Sequence, residues 1–158
     1  RIIIMIVENK SDLFNELRTL FIESDYFLVF SAKKIIFSES ESITLSLLKS
    51  FIESQRESRV TEVSLDECSF SSAVKEINLH LSYKLGFVDF DICEIDESTK
   101  RQKEFWDIVS ALESLPPLKT YEYYYSLESQ NDLCVYWNLF YIFENQNSAF
   151  ILFIGASD

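Results

Sequence analysis

The chain has 158 residues, 47% of them apolar and 25% charged, with 14 basic and 26 acidic side chains and a net charge of −12. That length can bury one substantial core without disulfides or metals, which excludes a disordered, collagen-like or disulfide-scaffold protein. Apolar runs such as residues 2–7 stop well short of the roughly 18 residues a membrane-spanning helix needs, so a soluble chain with no membrane partner is expected.

In chain order, residues 2–7 form a continuous, largely β-branched run that predicts a buried strand. Leu13, Phe14, Leu17, Leu20 and Phe21 then recur at helical spacing and predict a helix with one apolar face. Short strands are expected over residues 26–31 and 34–37, joined at Ser31-Ala32-Lys33. The serine and glutamate cluster at residues 38–42 offers N-caps for a second helix, carried by Ile43, Leu47, Leu48, Phe51 and Ile52 and ending near Gln55. Val60, Val63 and Leu65 suggest a short strand. Phe70, Val74, Ile77, Leu81 and Leu85 set out a third helix that Gly86 closes as a left-handed cap. Residues 87–95 alternate, Val88, Phe90 and Ile92 against Asp89 and Asp91, which predicts a strand with an acidic outer side. A fourth helix runs over residues 99–114 with Phe105, Ile108, Val109 and Leu112 as its stripe, and Pro116-Pro117 ends it. Strands over 121–126, 133–143 and 150–154 follow. The expectation is a single domain, residues 1–158, of α+β or mixed α/β class: helices alternate with strands, and a C-terminal antiparallel three-stranded meander closes the fold.

Much catalytic chemistry has no residues to rest on. The only glycines are Gly86 and Gly155, so neither a phosphate-binding loop nor a dinucleotide-binding turn can be written. The single histidine, His80, lies between Leu79 and Leu81 and is expected to pack rather than to catalyse. Cys68, Cys93 and Cys134 form neither a C-x-x-C pair nor a Cys/His cluster, which points away from zinc and towards free thiols in a reducing cytoplasm. Asp89, Asp91, Glu94 and Asp96 offer oxygen ligands for a hard cation, but without calcium-loop spacing. No metal, cofactor or catalytic residue is therefore expected. Residues 2–9 resemble the first strand of a response-regulator receiver domain. Asn9 stands where a second acid is needed, however, and Ser50–Glu53 falls in a helical segment where the phosphoacceptor strand belongs, so that family is excluded.

The charge is uneven. Residues 1–80 carry 13 acids and 9 bases, whereas residues 81–158 carry 13 acids and 5 bases. Such a field repels nucleic acid and attracts cationic partners. Tyr121, Tyr123 and Tyr125 alternate with Glu122 and Tyr124, so some aromatic surface is expected beside negative charge. Asp89, Asp91, Glu94, Asp96, Glu122, Tyr124, Glu128 and Asp132 are the candidate contacts. The expected function is non-enzymatic: a cytoplasmic bacterial immunity or inhibitor protein that neutralises a basic toxin, a nuclease above all, by electrostatic docking. Two other readings stay open, a small enzyme or ligand-binding domain with a carboxylate or Ser/Cys site, and an adaptor subunit of a larger assembly.

Overall fold

Among the described residues six antiparallel strands carry the fold: β1 (Met5–Asn9), β2 (Phe27–Phe37), β3 (Val60–Cys68), β4 (Lys119–Leu127), β5 (Trp137–Asn145) and β6 (Ser148–Ser157). They lie in the order β1-β2-β6-β5-β4-β3. Helix α1 (Asn15–Thr19) continues a 3-10 turn at Ser11–Phe14, and α2 (Leu45–Arg56), α3 (Phe70–Leu81) and α4 (Ile95–Leu112) complete the helices among the described residues. The computed structural model describes residues 5–21, 26–38, 42–84, 93, 95–129, 133–134 and 136–157. The class is α+β, and β4-β5-β6 form the expected C-terminal meander. Gln146 and Asn147 turn the chain between β5 and β6, with Asn147 at φ 65, a left-handed conformation that asparagine tolerates.

Because side chains alternate along a strand, the sheet has two distinct faces. On one, Phe30, Leu139, Tyr141, Phe143, Leu152 and Ile154 meet Phe14 and Leu17, Ala73 and Ile77 of α3, and Phe105 and Val109 of α4. On the other, Ile35, Phe37, Tyr121, Tyr123, Ile142 and Ile151 meet Leu48, Phe51 and Ile52 of α2. Each such side chain removed from water contributes about 1.5–3 kcal/mol. Burial on both faces is why β5 and β6 read as apolar runs rather than as alternating strands.

Several elements depart from the sequence reading. The β1 run is an edge strand rather than a buried one, and Ile6 is 57% exposed, because β2 pairs with it on one side only. The two strands expected around Ser31-Ala32-Lys33 are one, since β2 pairs with β6 from Phe27 to Ile36 without a break. The two lysines do not interrupt it. They fall on opposite faces, Lys34 towards the end of α4 and Lys33 towards α2. Thr44, outside the expected serine and glutamate cluster, caps α2 by accepting from the Leu47 amide at 3.2 Å. Helix α3 stops at Leu81, four residues before Leu85, and Gly86 lies outside the described residues. Helix α4 begins at Ile95, so the expected strand over 87–95 loses its last residue; the rest of that segment, apart from Cys93, is not among those described.

The helix ends are held by side-chain cations. Arg101, on α4 and 1% exposed, donates from Nη1 to the carbonyls of Leu81 and Tyr83 (3.1 Å each) and from Nη2 to Leu20 (3.4 Å) and to Glu97 (3.0 Å). Its guanidinium also lies 3.9 Å from the Phe21 ring centroid. The unsatisfied carbonyls at the ends of α1 and α3 thus meet one positive charge. Lys34 does the same for α4, donating to the Leu112 carbonyl at 2.7 Å beside the buried Glu113 carboxylate at 3.3 Å. Glu113 in turn accepts from Asn145 (2.9 Å) and Ser148 (2.8 Å), which fixes α4 against the β5–β6 turn.

Two outcomes follow. Arg101→Met should lower the unfolding free energy by about 1–3 kcal/mol in urea denaturation, because it leaves the buried Leu81 carbonyl without that donor, while Lys103→Met, at an exposed pair, should leave the midpoint unchanged. The second concerns alkali. Burial pushes the Tyr26 hydroxyl up to about 12, its proton bonded to the Tyr83 carbonyl at 2.6 Å, and burial also raises Tyr123 and Tyr141. Above pH 10 the unfolded chain loses these protons while the folded one keeps them. Stability should therefore fall between pH 10 and 12 by about 1.4 kcal/mol per unit for each such group. Tyrosine ionisation followed near 295 nm should show part of the signal appearing only as the chain unfolds.

Candidate functional site

Helices α1, α3 and α4 cover the β2-β6-β5 part of their face, and α3 reaches β4, where Thr120 is buried; from Glu122 onward that face of the β3–β4 end is exposed. There the register sets Glu62 opposite Ser126, Ser64 opposite Tyr124 and Asp66 opposite Glu122, all on the uncovered side. Asp66 and Glu122, two exposed carboxylates, are direct cross-strand neighbours. The alternate residues Val63, Leu65, Tyr121, Tyr123 and Tyr125 turn the other way, towards α2. The expected division of the tyrosines holds: Tyr121 and Tyr123 are buried, and Tyr124 is 36% exposed beside the acids.

A change in pairing opens a gap beside this face, through which Tyr123 and Phe140 of the α2 side are reached. β4 pairs with β5 over four residues only, from Lys119 opposite Glu144 to Glu122 opposite Tyr141, and then follows β3 alone. The divergence opens a trough of about 470 Å³ lined by Ser64, Asp66, Glu122, Tyr124, Asn138 and Phe140, with Tyr123 and Leu133 completing it. Phe140 stiffens the wall, with its ring 5.3 Å from Tyr123 and 6.1 Å from Tyr124, both edge-on. Asn138 accepts from the Cys134 amide (2.7 Å) and donates to the Cys134 carbonyl (3.0 Å), pinning that segment across β5. The Cys134 sulfur occupies the space over Gly155, where an added Cβ would stand 2.4 Å away, so only glycine fits there. No lysine or arginine lines the trough among the described residues.

The sequence-derived candidates divide accordingly. Glu122 and Tyr124 line the trough together. Asp96 is exposed in the first turn of α4, and Glu128 is exposed past the end of β4, its amide bonded to the Arg59 carbonyl at 2.8 Å; neither lines the trough. Asp89, Asp91, Glu94 and Asp132 lie outside the described residues. Asp66, Ser64 and Asn138 were missed. Asp66 had a signal, since Glu62, Ser64 and Asp66 alternate with Val63 and Leu65.

Other reactive groups have structural surroundings. His80 donates from Nδ1 to the Glu76 carbonyl (2.7 Å) and packs between the rings of Tyr83 and Trp137, at 5.0 and 4.8 Å. The three cysteines are free. Burial, reinforced by the Glu122 charge, pushes the Cys68 thiol up, and burial raises Cys134, so both are held as thiols rather than nucleophilic thiolates. Among the described residues no group of His, Cys, Asp or Glu is placed to hold a metal ion, and no helix is long and apolar enough to cross a membrane.

Compared with known proteins, the chain matches no family model, no curated protein and no solved structure. Like charges set opposite one another weaken a strand pair, so Asp66→Asn or Glu122→Gln should stabilise the fold by about 0.2–1 kcal/mol in urea denaturation. The gain should shrink as salt is raised.

Proposed function

We propose that this chain is a non-enzymatic protein-binding domain that receives a basic protein on its uncovered β3–β4 face, as an immunity or inhibitor protein does with a cationic bacterial toxin. The observation that carries the reading is the in-register pair Asp66 and Glu122, exposed, beside Tyr124, with no cation lining the trough among the described residues. Two carboxylates held side by side repel each other until a cation arrives, so the arrangement favours a guanidinium or ammonium from outside. A nuclease is the partner class that suits this best, because its basic groups are placed to meet phosphates and the carboxylates can occupy the same positions. The net charge of −12 speeds encounter with such a partner, and the partly exposed Tyr124 ring supplies rigid contact area once it is seated. Free thiols suit a reducing, cytoplasmic setting.

The test compares two double variants that shift the net charge equally. Asp66→Lys with Glu122→Lys alters the trough; Asp12→Lys with Glu16→Lys alters exposed acids on the turn and helix beside β2. Association rates are measured at low and high salt against the basic protein encoded by the adjacent gene, with nona-arginine as a generic cation. The trough variant should slow association with the protein by on the order of tenfold and flatten its salt dependence, with the other double near wild type. Equal effects of the two doubles, or no binding of the neighbouring gene's product, would overturn the reading.

A further inference from the structure

The opposite face of the sheet holds a second hollow, of about 190 Å³, between α2 and strands β2, β6 and β4. Its charge is the reverse of the trough's. Lys33 of β2 and Arg56 at the end of α2 both line it, and no acidic residue does among the described residues, in a chain of net charge −12. Lys33 is half-buried and its side chain makes no hydrogen bond or ion pair among the described residues, although its neighbour Lys34 is bonded to Glu113 and Leu112. Ser31 and Gln55 add a hydroxyl and an amide. The remaining wall is rigid and largely aromatic: the rings of Tyr123 and Tyr125 stand 8° from parallel with centroids 6.4 Å apart, and Phe153 lies alongside.

We infer that this hollow is a binding site for a small planar organic anion, an aromatic or conjugated carboxylate of about the size of benzoate. Volume sets the size, since a cavity of about 150 Å³ accepts one benzene ring and the space here leaves room for one compact substituent. Nucleotides and dinucleotides are too large. Charge sets the substituent: a carboxylate can meet the Lys33 ammonium and the positive charge of Arg56, whereas an amine would face both cations. Flat aromatic walls with a few converging polar groups are the usual make-up of a small-molecule site. The site meets the trough at Tyr123 and, through Phe140, at Tyr125 and Phe153, but none of the trough's carboxylates lines it.

The experiment is a backbone-amide NMR titration with sodium benzoate, benzyl alcohol, benzylamine and inorganic phosphate at constant ionic strength. Benzoate should saturate with a dissociation constant of about 1 mM or tighter, at least about tenfold tighter than the other three, with shifts centred on Ser31, Lys33, Gln55, Arg56 and Phe153. Lys33→Met and Arg56→Met should each weaken benzoate by about tenfold, Arg56→Lys by less, and Ser31→Leu should block it by filling the hollow. Lys49→Met, on the exposed side of α2, should change nothing, and the spectra themselves report whether each variant is folded. Lack of saturation at on the order of 10 mM benzoate, equal binding of benzyl alcohol or phosphate, or wild-type affinity in folded Lys33→Met would overturn the assignment. The Asp66→Lys, Glu122→Lys double variant should bind benzoate normally, so this site and the docking face succeed or fail separately.

Discussion

The buried guanidinium of Arg101 holds together three pieces of chain that the apolar core alone would leave loosely aligned. Leu20 lies at the end of α1, Leu81 at the end of α3 and Arg101 itself on α4, and the same group is flattened against Phe21. A helix end presents carbonyls that must find donors, and burying such ends between layers removes water as the donor. A planar cation with several N–H groups satisfies more than one end from a single position, which an ammonium or an amide cannot do as well. With Lys34 serving α4, the helical layer terminates on protein donors rather than on solvent.

The inward charges come from both signs. Of 14 basic and 26 acidic side chains, Arg101 and Lys34 serve helix ends while Glu113 and Glu144 are buried with them, so the outside keeps the acidic balance of the composition. The sheet then separates the remainder by side: carboxylates gather on the bare β3–β4 face, while Lys33 and Arg56 line the hollow beneath α2. Strand alternation does the sorting, because Glu122 and Tyr123 are chain neighbours that must point to opposite sides.

Periodicity made the helices and the closing meander legible. Leu47, Leu48, Phe51 and Ile52 announce α2, and the turn residues Gln146 and Asn147 separate β5 from β6. What it could not convey was position within the sheet. A run such as Met5-Ile6-Val7 looks the same whether it has two neighbours or one, and here it has one. Cross-strand register is equally hidden: Asp66 meets Glu122 only because β3 pairs with β4, so the sequence points to Glu122 without its partner and to Asp96 and Glu128, acidic but remote from it. Arg101 could have been found. It stands four residues before Phe105 on the same helical stripe as Ser98 and Val109, where a charged residue signals burial with partners rather than a solvated face.

The short seam between β4 and β5 sets where the sheet is weakest. Four residue pairs join them, fewer than at any other junction in the sheet, and beyond Glu122 the two strands are linked through side chains such as Tyr123 and Phe140. Breaking that junction sacrifices little backbone bonding while leaving each half internally laddered. Past the seam the β3–β4 ribbon is therefore moored by side chains, the Tyr123, Tyr124 and Tyr125 rings on Phe140 and the Tyr123 hydroxyl on the Leu152 carbonyl, so the width of the furrow is set by aromatic packing rather than by a backbone ladder.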